Sequence, residues 1–281
     1  MPDKRVVSDL MRDVEEILLE LVHEVEGPNK HVLRMDEMDK QFEKLIYAIA
    51  IRDRNFEHFF RDVKGEQTVL QFKPELDEVY KNYKDSLKTA TNIIGTWDLF
   101  DNEPYGHMIR FSQEKFIANE IAFVNVSPEH IDKTIQLLGN HLQGIAQHGS
   151  LPVELYIPDF RVVKPRHLIR ADNIIIKFNV KLMRVALSEW AKEIHSFVHE
   201  RPPLLTKRVL KGVGVMGAPR EKHQVYYIKH MGRPAHTGLH FFSLVLARAF
   251  YKHYKQLGKV PHDIRNMAEA ITHYIVPRYP I

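Results

Sequence analysis

Two histidines four residues apart, His236 and His240, stand where "GRPAHTGLHFF" passes from a loop into an apolar helical run. Within a helix that spacing puts both rings on one face, open to metal ligation, proton transfer or a polar role without chemistry. A zinc site needs three or four converging ligands, and no H-E-x-x-H motif adds a general base. The sequence contains no cysteine, which excludes Cys-based zinc, iron–sulfur and thiol chemistry as well as a disulfide scaffold. The expectation is a site without metal or cofactor.

With Thr237 as N-cap, His240 falls at the third helical position. Unpaired backbone N–H groups and the positive end of the macrodipole gather there and favour an anion. A histidine beside that point can hydrogen-bond a phosphate and protonate a leaving oxygen. Gly238 is expected to let a ligand approach the backbone closely. His236, ahead of the cap, reads as a loop residue.

Lys207, Arg208 and Lys211 lie on "LLTKRVLK", an extended stretch in which alternation sends Lys207 and Arg208 to opposite faces. A lysine turned inward among other cations has its pKa lowered and can serve as a base. Arg161, Arg166 and Arg170, with Lys164, fall between two strands as candidates for phosphate oxygens. "GVGVMG" at 212–217 matches G-x-G-x-x-G, but Pro219 and the lack of a following helical stripe make it a turn between extended segments. His195 and His199 read as polar residues near the end of a helix. A lysine, a histidine and several arginines, without a carboxylate pair or a Ser-His-Asp order, suggest phosphate chemistry without a metal.

Those residues need a scaffold, and 281 residues at 44% hydrophobic and 27% charged are enough for a sizeable core. The net charge of +4 is unevenly spread, acidic in the first half and basic at 161–170 and 201–211, as suits an anionic partner. No apolar run is long enough to span a membrane, and the charged N-terminus has no signal-peptide core, so the expected location is cytoplasmic, or a host cell if the protein is exported. Helical stripes cover about 6–25, 36–62 and 74–94. From about residue 105 the pattern changes to strands ending at Val126 and at 152–158 and 173–179. Helices are expected at about 128–144, 181–199, 238–257 and 262–275, and "QVYYIKH" at 224–230 looks like a strand. The expected fold class is α+β: a helical N-terminal region, 1–104, then a mixed α/β C-terminal domain, 105–281, with a central, partly antiparallel sheet.

The C-terminal half resembles the HopA-type III effector family, which includes the lyase components of class V lanthipeptide and thioamitide biosynthesis. The resemblance covers about residues 119–257. It rests on "IAFVNVSPEHIDKTIQLLGNHL", "VELYIPDF" and "RADNIIIKF", and most specifically on "LLTKRVLKGVGV" and "TGLHFFSLVLARAF". In that family an arginine commonly follows the helix-opening histidine; here Phe241 takes its place. The resemblance implies elimination of phosphate from phosphoserine or phosphothreonine, leaving dehydroalanine or dehydrobutyrine. Lys207 becomes the candidate base and His240 the candidate acid. Arg208, Arg166 and Arg170 become phosphate clamps, with Arg161 and Lys211 behind them. The implied partners are a phosphorylated peptide or protein and a companion kinase.

Three other readings compete. One is a non-catalytic effector that recognises a phosphorylated or acidic partner. Another is nucleic-acid binding through the basic stretches, disfavoured because they lack interleaved aromatics. The last is a metallohydrolase using His236 and His240.

Overall fold

The structure is a computed structural model. It describes residues 4–26, 38–56, 74–97, 101–103, 106–112, 116–146, 151–179, 181–257 and 263–275. The chain forms two compact units that interleave in sequence: residues 1–51, 204–207 and 216–281 make the first, and 52–203 with 208–215 the second. Contacts therefore divide the chain differently from a cut at residues 104 and 105. The first two helices join the C-terminal helices, while the third joins the sheet.

In the first unit, α1 (Lys4–Glu26) buries Leu10, Val14, Ile17, Leu18, Leu21 and Val25, the stripe its periodicity predicts. It packs on α8 (Ile264–Ile275), which buries Ala268, Ile271, Thr272 and Ile275. Helix α2 (Met38–Ala50) ends well short of the expected residue 62, and Phe59 of that expectation lies outside the described residues. It packs on α7 (Gly238–Leu257), with Phe42 edge-on to Phe250 at 5.2 Å between centroids.

Between residues 221 and 231 the expected strand is instead a helix, α6 (Glu221–Met231). His223, Tyr227 and Met231 form its buried stripe at four-residue steps, whereas Val225 and Ile228 face solvent. The β-branched and aromatic residues that suggest a strand here are mostly on the exposed side. Gly232 ends the helix in the left-handed region (φ 71°), where its N–H reaches Ile228 O at 2.8 Å.

The second unit contains a sheet covered by helices; the sheet has seven strands, of which residues 207, 216 and 217 count with the first unit. The strands are β1 (Asp101–Glu103), β2 (Gly106–Arg110), β3 (Glu120–Val124), β4 (Val153–Pro158), β5 (Ile174–Phe178), β6 (Lys207–Leu210) and β7 (Val213–Gly217). Their order is β1-β2-β4-β5-β3-β7-β6, and the pairs β1·β2, β2·β4, β4·β5 and β5·β3 are antiparallel. Strand β4 alternates buried and half-buried positions, so Val153, Leu155 and Ile157 join Ile174, Ile176, Ala122 and Val124 in one core. Helices α3 (Pro74–Ile94), α4 (Ile131–Ala146) and α5 (Lys181–Glu193) add Leu87, Ile94, Ile135, Leu138 and Trp190 to it. The buried Trp190 indole donates to Thr134 O at 3.2 Å.

Helix α5 gives way to a 3-10 turn at Ile194–Phe197, so His195 and His199 do not share a helix. The turn expected within 212–217 falls at Lys211 and Gly212, and the "GVGVMG" letters after Gly212 form β7 itself. Gly212 has φ 65°, and a Cβ there would meet His199 O at 2.6 Å.

Candidate functional site

Helix α7 begins at Gly238, directly after Thr237, as its capping signal predicts. His240 is half-buried in the first turn, with Nδ1 3.1 Å from the Thr237 hydroxyl. The face of its ring is covered by Tyr47 of α2, stacked at 4.0 Å between centroids and 29° between planes. Such a pair contributes about 0.5–1.5 kcal/mol beyond simple burial and restricts ring rotation. Tyr227 meets His240 edge-on at 6.3 Å, and exposed His236 does so at 5.8 Å. Among the described residues, no group of three or more His, Asp or Glu stands together as a metal site.

Gly238 has a packing role. It is buried, and a Cβ would lie 2.8 Å from the Met216 side chain and 2.9 Å from Gly217 O. The space expected for a ligand is therefore filled by Met216 and Gly217 of the same unit, and close packing is what requires glycine there. Phe241 is likewise a core residue, 3% exposed in a cluster with Tyr227, Met231, Ala235 and Leu244. The position after His240, where the resemblance expects an arginine, thus lies in a largely apolar interior.

One turn before Tyr47 on the same helix face is Glu43, 1% exposed. Its Oε1 accepts the Tyr227 hydroxyl at 2.8 Å. Its Oε2 has no hydrogen-bond partner among the described residues, and Arg233 Nη2 stands 3.9 Å away. Burial pushes the Glu43 carboxyl above its ordinary range, although Tyr227, Arg233 and Lys44 pull the other way. The Tyr227 hydroxyl is also pushed up, by burial first and then by the Glu43 charge.

The same helix reaches the candidate lysine. Ala50 O, at the end of α2, accepts the Leu204 N–H at 2.8 Å. The next N–H, of Leu205, donates to Asp13 Oδ2 on α1 at 2.9 Å. Residues 204–206 are thus a turn, not the extended run expected, and strand β6 starts at Lys207. Lys207 is exposed, which corrects the expectation of an inward-facing amine. Along β6 Lys207 and Arg208 do fall on opposite faces, Arg208 on the better-covered one with Leu210.

The remaining candidates sit in the second unit, several with acidic partners. Arg161, 61% exposed, pairs with Asp159 at 2.6 Å. Arg170 makes two 2.9 Å bonds to Asp172, a fork-to-fork pair with a fully buried carboxylate. Lys211 stands 3.5 Å from Glu200. Arg166 and Lys164 are exposed around a 3-10 turn at Pro165–Ile169. One expected clamp, Arg170, and both residues expected behind the clamps, Arg161 and Lys211, therefore stand against carboxylates in this unit. His199 Nδ1 pairs with buried Asp53 at 2.7 Å, which accounts for it structurally.

Sequence reasoning missed Tyr47, Glu43, Tyr227, Arg233 and Asp13. Of these, Glu43 and Asp13 carried a usable signal, as acidic residues flanked by buried apolar positions on amphipathic helices.

No family model and no curated protein matches the chain. Among solved structures, an effector protein from Pseudomonas syringae pv. syringae strain 61 aligns with a TM-score of 0.52 at 11% identity, over 94% of this chain and 92% of its own. An effector protein from Pseudomonas syringae pv. tomato strain DC3000 aligns at 0.44 and 10% identity, over 94% and 98%. The chain thus shares its fold with a bacterial effector.

Proposed function

We propose that the protein is a metal-independent lyase that eliminates phosphate from phosphoserine or phosphothreonine in a peptide or protein. Lys207, as the neutral amine, takes the α-proton. The Cα–H electron pair becomes the new Cα=Cβ bond, the Cβ–O bond breaks, and His240 protonates the bridging oxygen of the departing phosphate. Arg233, 3.9 Å from Glu43 and 42% exposed, lies in the same unit as both residues and is the candidate for phosphate contact there. A companion kinase would supply the phosphorylated substrate.

The observation that carries this reading is the single face of α2. Its Tyr47 stacks on His240, and the carbonyl of Ala50, three residues on, accepts the Leu204 N–H at the start of the 204–206 turn. The rise between those two anchor points is about 4.5 Å, so one helix meets both the His240 ring and the start of the turn that leads into Lys207. Because Lys207 is exposed in the chain alone, the desolvation a lysine base needs would come from the bound peptide.

The test is incubation of the protein with phosphothreonine and phosphoserine peptides, read by mass spectrometry as loss of phosphoric acid. Lys207→Ala and His240→Ala are each expected to slow elimination by about 10²- to 10⁴-fold. A non-catalytic protein that binds a phosphorylated or acidic partner is the second reading, favoured by Phe241, a core residue where the resemblance expects an arginine. Peptide binding without elimination would select it.

A further inference from the structure

The geometry points to Asp13 as a positioning residue for Lys207, an inference that rests on the lyase reading. Among the described residues Leu205 is the one non-glycine with positive φ, at 65°. A branched side chain disfavours that conformation, so it persists only where its surroundings hold it. The holding contacts are visible. The Leu205 side chain is 1% exposed, Thr206 is buried, and the two N–H groups at 204 and 205 are fixed by Ala50 O and by Asp13 Oδ2. Asp13 is itself 1% exposed, on a face of α1 otherwise made of Leu10, Val14 and Ile17.

A buried carboxyl group on an apolar helix face is costly unless hydrogen bonds offset its desolvation, and the bond from the Leu205 amide is one of these. The strained residue lies two positions before Lys207. Strain held this way fixes the direction in which the chain leaves the turn, and hence where β6 starts and its first side chain emerges. Elimination is sensitive to that direction, because the base must meet one C–H bond in line. Asp13 would thus act on the reaction through Leu205 and Lys207 without touching substrate.

The experiment compares wild type, Asp13→Ala and Asp13→Asn in elimination kinetics and in amide hydrogen exchange at Leu205. Asn keeps the shape and an acceptor oxygen, whereas Ala removes both. Asp13→Ala is expected to lower kcat about tenfold or more with KM within about twofold, and Asp13→Asn to recover most of kcat. The Leu205 amide should exchange slowly in wild type and Asp13→Asn, and faster in Asp13→Ala. Unchanged kcat in folded Asp13→Ala overturns the proposal, as does rapid Leu205 exchange in wild type. The exchange measurement on wild type decides even if Asp13→Ala fails to fold. If no variant, wild type included, eliminates phosphate, the lyase reading fails by itself, and the exchange data still report whether Asp13 holds the turn.

Discussion

Glu43 shows at the residue scale what the helical N-terminal segment contributes. Its carboxyl is enclosed, shares one oxygen with Tyr227, and titrates above 4.5 because burial outweighs the Tyr227 hydrogen bond and the Arg233 and Lys44 charges. A group whose folded pKa is raised stabilises the fold fully below its unfolded pKa, and that contribution is lost as pH rises through the folded value. Urea unfolding over a pH series should therefore show wild type losing stability relative to Glu43→Gln from about pH 4.5 upward, then levelling. Glutamine can still accept the Tyr227 hydroxyl and carries no charge to desolvate. No difference would show that Glu43 is ionised as readily in the fold as outside it, and one of opposite sign that it is ionised more readily.

Two glycines with the same backbone sign separate conformational strain from crowding at the element scale. Gly232 ends α6 at φ 71° with nothing within 4 Å of where a methyl group would sit, whereas at Gly212, φ 65° in the β6–β7 turn, a methyl group would lie 2.6 Å from His199 O and from Val198 Cβ. Gly232→Ala should cost about 1–2 kcal/mol, the left-handed penalty alone. Gly212→Ala adds a clash with backbone and should cost at least about 2 kcal/mol more, read as the difference in denaturation midpoints. The same elements show what was legible in the sequence. Thr237, Gly238 and the apolar run after them locate the start of α7, because a cap is a local signal. The α6 helix was not legible, since it buries only His223, Tyr227 and Met231 and exposes the Val225 and Ile228 that read as strand. Tyr47 and Asp13 were invisible as partners because their contacts are non-local; Asp13 and Leu205 are 192 residues apart.

The whole molecule is organised by that non-locality. The expected resemblance in sequence spans about residues 119–257, yet the alignment with the Pseudomonas syringae effector extends over 94% of the chain, too much to leave both N-terminal helices outside it. Those helices are interior structure. Helices α1 and α2 bury Leu10, Val14, Ile17, Leu18, Leu21, Val25, Phe42, Ile46 and Ile49, each at 8% exposure or less. Full burial of each such side chain is worth about 1.5–3 kcal/mol, against a net stability of about 5–15 kcal/mol for a typical protein. Cutting at the sequence-expected boundary, to leave residues 105–281, would uncover the faces of α7 and α8 on which these residues pack. It would also remove Tyr47 from His240 and both Ala50 and Asp13 from the turn before Lys207. The 105–281 fragment should therefore bind a dye for exposed apolar surface, lack a cooperative denaturation transition and show no elimination activity. A cooperatively folding 105–281 fragment with wild-type activity would mean that the N-terminal helices are dispensable to the site, and the α2 scaffold would lose its place in the mechanism.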